Sequence, residues 1–164
     1  MTQINRQNYL DKIEHCFGKD LIVVLTGQRR VGKSYLLQLL RNKKEENSGN
    51  NVIFIDKELR EFDFIKTYSD LNAYVNEHLE KGKCNYILID EVQDIAEFER
   101  SVRSFRAEPD IEVVITGSNA KMLSGDLSTL IGGRYKNIYI QSLSYQEFCN
   151  FMNWKKMTIL CRNI

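Results

Sequence analysis

Five short, largely apolar runs divide the chain: residues 21–25, 52–55, 86–89, 111–115 and 138–140. A strand that is apolar at nearly every position is buried on both of its faces, whereas a half-exposed strand alternates. Between the runs the apolar residues change period. Tyr9, Leu10, Ile13, Cys16 and Phe17 recur at helical spacing over residues 5–17, and Gly18 leads on to the first strand. Leu36, Leu37, Leu39 and Leu40 form a stripe beyond residue 33. Leu71, Val75, His78 and Leu79 mark a helix closed by Gly82, and Phe98, Val102 and Phe105 stand at i, i+4 and i+7. Buried strands alternating with amphipathic helices predict an α/β fold, a mainly parallel five-stranded sheet with helices on both faces. Residues 42–51 pass from charged to turn-forming types and read as a solvated helix end and loop. Residues 58–66 show neither period and read as irregular.

The first run is followed at once by Gly27, Gln28, Arg29, Arg30, Val31, Gly32, Lys33 and Ser34, which fits the phosphate-binding pattern G-x-x-x-x-G-K-[ST] between a strand and a helix. Glycine at both ends permits backbone angles and close approach that a side chain would block, so successive N–H groups can turn around a phosphate. The helix beginning near Lys33 adds the positive end of its dipole. Lys33 is placed to reach β- and γ-phosphates, and the Ser34 hydroxyl to ligate Mg²⁺.

The third run ends in Asp90 and Glu91. In an open parallel sheet the ligand lies beyond the carboxyl ends of the strands, so these acids are expected to face the same crevice as the glycine loop. Asp90 would hold Mg²⁺ through water and Glu91 would orient and deprotonate an attacking water. The bland alternative is an acid ending a strand and another opening a helix. Ser118 and Asn119 follow the fourth strand at that edge, either as sensors of a third phosphate or as a plain helix N-cap. Arg134, after Gly132 and Gly133, is either a guanidinium that meets phosphoryl charge, in cis or in trans, or a surface arginine after a turn. His78 reads as a packed or half-exposed core histidine rather than a ligand, for no second His or Cys lies at ligand spacing.

Composition narrows the class without adding a site. A chain of 164 residues, 43% hydrophobic and 27% charged with one proline, suits a single domain with its own core. A formal net charge of +1 gives no electrostatic pointer to nucleic acid or membrane. Cys16, Cys84, Cys149 and Cys161 form no C-x-x-C pair and read as reduced thiols. No signal peptide and no run of spanning length is visible, so no membrane association and a cytoplasmic location are expected.

The loop, together with Ile87, Leu88, Ile89, Asp90, Glu91, Val92 and Gln93, then Thr116, Gly117, Ser118, Asn119 and Ala120, then Gly133 and Arg134, then Leu143, Ser144, Tyr145, Gln146, Glu147 and Phe148, resembles the prokaryotic AAA-type P-loop ATPases related to the archaeal ATPase group. The likeness runs from about Ile4 to Phe148. It implies a three-layer P-loop NTPase fold with strand order 5-1-4-3-2. It also implies Walker A at residues 27–34, with Tyr35 beside it, Walker B at residues 87–91, and a sensor at Ser118 or Asn119. The implied activity is Mg²⁺-dependent ATP hydrolysis with Lys33, Glu91, Asn119 and Arg134 catalytic, coupled to an unidentified protein or DNA partner. The alternative is a non-catalytic, nucleotide-dependent switch. A small-molecule kinase shares the loop but not the water-activating acid, and it would carry an arginine-rich lid. If Arg134 acts in trans, an oligomer follows. The family commonly has proline where Ser142 stands and continues well beyond position 164. Residues 1–148 are therefore expected to be the ATPase core with its N-terminal helix, and residues 149–164 the truncated start of a missing C-terminal region.

Overall fold

The computed structural model describes residues 6–117 and 131–151. Helix α1 (Gln7–Glu14) leads to strand β1 (Ile22–Thr26), then α2 (Lys33–Glu45), β2 (Asn50–Asp56), α3 (Tyr68–His78), β3 (Cys84–Asp90), α4 (Phe98–Ala107), β4 (Ile111–Thr116), β5 (Tyr135–Tyr139) and α5 (Tyr145–Phe151). The five strands form one sheet in the order β2-β3-β4-β1-β5, and each neighbouring pair is parallel. Read from the other edge, this is the expected order.

The doubly apolar strands explain the layers. In β1, Ile22 and Val24 face one core while Val23 and Leu25 face the other, because successive side chains leave a strand on opposite sides. Leu71 and Val75 of α3 and Val102 and Phe105 of α4 close the first core. Leu10 and Ile13 of α1 and Leu36, Leu37 and Leu40 of α2 close the second. Each such aliphatic side chain contributes about 2 kcal/mol on burial, so the helices are held to the sheet chiefly by these stripes.

The boundaries differ from expectation in three places. β2 begins at Asn50, inside the stretch read as loop, since Asn50 continues the register by lying opposite Cys84. Residues 58–66 contain a short 3-10 turn, Arg60–Phe62, whose Phe62 enters the core. β5 starts at Tyr135 rather than residue 138, because pairing with β1 extends from Ile22 opposite Tyr135 to Thr26 opposite Tyr139. His78 is exposed, not packed in the core; its ring stacks on Tyr74 at 4.2 Å between centroids, with Nδ1 2.7 Å from the Tyr74 carbonyl. Cys16, Cys84 and Cys149 are free thiols, and Cys161 lies outside the described residues. Among the described residues no helix is long and apolar enough to cross a membrane.

Candidate functional site

β1 carries the chain to the carboxyl edge of the sheet, where it turns into α2 through residues 27–32. At Gly27 φ is +148°, and a Cβ there would stand 2.4 Å from the Ile140 carbonyl oxygen, so the backbone passes where a side chain has no room. Gly32, at φ +93°, is the residue on which α2 begins. Gln28, Arg29 and Arg30 are exposed, while Val31 turns into the core beneath the loop. Lys33 is only 4% exposed, and its Nζ donates to the carbonyls of Gly27 at 3.3 Å and Gln28 at 3.1 Å. Its ammonium thus lies back against the loop that precedes it. Tyr35 is partly exposed on the first turn of α2.

The acids meet this loop directly. Asp90 closes β3 at 1% exposure, and its carboxylate takes hydrogen bonds from the hydroxyls of Ser34 and Thr116. Burial pushes the Asp90 carboxyl above its ordinary range; the charges of Asp56 and Glu91 push the same way, and the two hydroxyl bonds only partly offset them. Glu91 follows with φ +51°, a left-handed backbone angle uncommon for a residue other than glycine. Its N–H donates to Thr116 Oγ1 at 3.1 Å, and Gln93 Nε2 donates to its Oε2.

A buried carboxylate joined to a hydroxyl is a pair of hard oxygen donors. Mg²⁺ takes one or two protein oxygens and keeps water in its remaining positions, and Ser34 with Asp90 fits that demand. The unfavourable charge on Asp90 would also be reversed by a cation.

Not every residue singled out in the sequence arrives here. Residues 27–35, Asp90 and Glu91 converge at one edge. Arg134 does not: its carbonyl accepts from the Ile22 N–H at 3.1 Å, at the amino-terminal start of β1, about 13 Å of strand away from the loop. The backbone of Arg134 therefore stands at the edge of the sheet opposite the loop. Ser118 and Asn119 lie outside the described residues.

Three neighbours had no role assigned from the sequence. Thr116 ties both acids together from β4; its signal was a polar residue ending an apolar strand next to the acid-bearing one. Asp56 lies opposite Asp90 in the register of β2 and β3 and adds charge beside it. Gln93, two residues beyond Glu91, donates to its carboxylate.

The family model for an AAA domain matches residues 19–149. An uncharacterized protein of Haemophilus influenzae is 35% identical over 93% of this chain and 39% of its own length. An uncharacterized protein of Methanocaldococcus jannaschii is 29% identical over 81% of this chain and 29% of its own length. The chain thus spans well under half the length of these curated relatives. The crystal structure of Cdc6p from Pyrobaculum aerophilum superposes with a TM-score of 0.65 over 93% of this chain and 50% of that one, at 14% identity, a likeness of fold.

Proposed function

Because the chain belongs to the AAA domain family, we propose that it binds ATP with Mg²⁺ at residues 27–35 and hydrolyses it with the acids at the end of β3. The observation that carries this reading is the contact between the Ser34 hydroxyl and the Asp90 carboxylate, which joins the glycine loop to the acid strand at one point. The N–H groups of the loop and the α2 N-terminus receive the phosphates. Lys33, released from the carbonyls of Gly27 and Gln28, reaches the β- and γ-phosphates. Ser34 and Asp90 hold the metal, which when bound neutralises charge on the phosphoryl oxygens.

Glu91 accepts the proton of the attacking water, and Gln93 fixes the direction from which it does so. Asn119 senses the third phosphate. Arg134, on the opposite edge, serves a neighbouring copy in trans, so full turnover belongs to an oligomer. A protein or DNA partner coupled to turnover is part of this reading, with the chain in the cytoplasm.

Two substitutions test the assignment. Lys33→Ala is expected to abolish calorimetric binding of Mg–ATP, while Glu91→Gln keeps binding and lowers phosphate release by about two orders of magnitude. Equal loss of binding in both variants contradicts the roles. Binding in the native chain with no phosphate release that depends on Glu91 would instead make it a nucleotide-dependent switch.

A further inference from the structure

The phosphate loop is gripped from the side away from the acids as well. Arg6, just before α1, is only 3% exposed although it is an arginine. Its guanidinium donates from Nη1 to the Val31 carbonyl at 2.8 Å and from Nη2 to the Gln141 carbonyl at 2.7 Å. Nε lies 3.4 Å from Glu147 Oε1, and the whole group lies over the Tyr9 ring, 4.8 Å from its centroid. One planar fork therefore joins the loop, the segment after β5 and helix α5.

The segment after β5 reaches both glycines of the loop. Ile140 donates its N–H to the Thr26 carbonyl at 2.7 Å, and its own carbonyl fills the place a side chain on Gly27 would need. Gln141 donates its N–H to the Tyr9 hydroxyl at 3.2 Å and gives its carbonyl to Arg6, which then takes Val31, the residue before Gly32. In a planar trans peptide the C=O and the following N–H point in opposite directions. Holding the Val31 carbonyl toward Arg6 thus aims the Gly32 N–H away from it.

The far end of the fork is anchored as well. Glu147 and Ser144 form a reciprocal cap at the start of α5: the Ser144 N–H donates to Glu147 Oε2 at 2.7 Å, and the Glu147 N–H donates to Ser144 Oγ at 3.2 Å. Burial works against a charge on Glu147, but the Ser144 bonds and Arg6 outweigh it and hold the carboxyl below its ordinary range. The sequence motif around residues 143–148, which the chemistry of the acids leaves unused, supplies this anchor.

We propose that Arg6 is a positioning residue for the phosphate loop and that Glu147 sets Arg6, so that docking of α5 governs nucleotide affinity. This rests on the reading of the loop as a nucleotide site. Arg6 touches no phosphate in this scheme. It fixes the peptide whose amide does.

Calorimetric titration with Mg–ATP of the native chain, Arg6→Met, Arg6→Lys, Glu147→Gln and the Arg6→Met/Glu147→Gln pair tests it. Loss of charge-assisted bonds at Arg6→Met is expected to weaken binding about tenfold, and Arg6→Lys, which keeps the charge but reaches one carbonyl, about threefold. Glu147→Gln should weaken binding by a smaller factor that disappears in the Arg6→Met background, because both act through one contact. Without nucleotide, the Leu36 amide, which bonds the Gly32 carbonyl at 3.0 Å, should exchange faster in Arg6→Met or Arg6→Lys while amides of β4 do not.

Unchanged affinity in both Arg6 variants overturns the proposal. So does simple addition of the two losses, or faster exchange in β4 in step with Leu36, which would mean general destabilisation. If Arg6→Met does not fold, Arg6→Lys decides on the same readouts. If the native chain binds no Mg–ATP, the nucleotide reading and the affinity claim fall together, and the exchange experiment alone decides whether Arg6 positions the loop.

Discussion

Asp90 is a residue whose usefulness and whose cost have the same origin. Burial raises its carboxyl above the ordinary value of 3.8, so the folded chain holds that proton more tightly than the unfolded chain does. Stability from this group therefore falls as pH rises from the ordinary carboxylate value through the raised one, and stays low above it. Asp90→Asn removes the charge but keeps an acceptor for Ser34 and Thr116. Without Mg²⁺ it is expected to melt a few degrees above the native chain near neutral pH, with the gap closing as pH approaches 3.8. A variant that melts lower at neutral pH would show that the carboxylate already has a favourable partner. The acid itself was plain in the sequence, as were the glycines, Lys33 and Ser34, because each belongs to a pattern with fixed spacing. Thr116 and Arg6 were not, since what singles them out is who sits beside them, and those neighbours come from distant parts of the chain.

At the level of elements, burial decides what matters. Leu37 lies on α2, fully buried in the second core. Leu37→Ala is expected to cost about 3 kcal/mol in urea unfolding, through lost transfer energy and a cavity that the sheet cannot collapse to fill. Arg41, one turn further along the same helix, pairs with Glu45 at 2.8 Å in a largely exposed i, i+4 bridge. Its guanidinium also lies over the Phe54 ring, 5.1 Å from the centroid, so Arg41→Ala should shift stability by no more than about 1 kcal/mol. A comparable loss from both would mean that the helix is not held by its apolar stripe. That stripe could be read directly from the sequence, as could the three inner strands, β1, β3 and β4. β5 could not be read to its full length, for only Ile138 among its residues is buried and its ladder to β1 leaves no hydrophobic trace. The capping box of Thr67 and Asp70 that opens α3 was visible in principle but indistinct among other polar residues of that loop.

For the whole molecule, ligand linkage offers a test that needs no activity. A ligand that binds only the folded chain at about a hundred times its dissociation constant stabilises it by about 2.7 kcal/mol. In a domain of this size that is a rise of roughly 5–10 °C in Tm. The native chain is expected to show it with Mg–ATP and Lys33→Ala to show none; an equal rise in both would place the nucleotide elsewhere. The strand order also has a consequence for synthesis. β1 sits between β4 and β5, yet Val23 pairs with Val114 and with Lys136, so both of its partners come late in the chain. At about 5–20 residues per second, β1 waits on the order of ten seconds after leaving the ribosome with neither hydrogen-bonding edge satisfied. Throughout that interval β1 is an apolar strand with both ladders open, so the glycine turn that follows it has no fixed strand to hang from until β4 and β5 arrive.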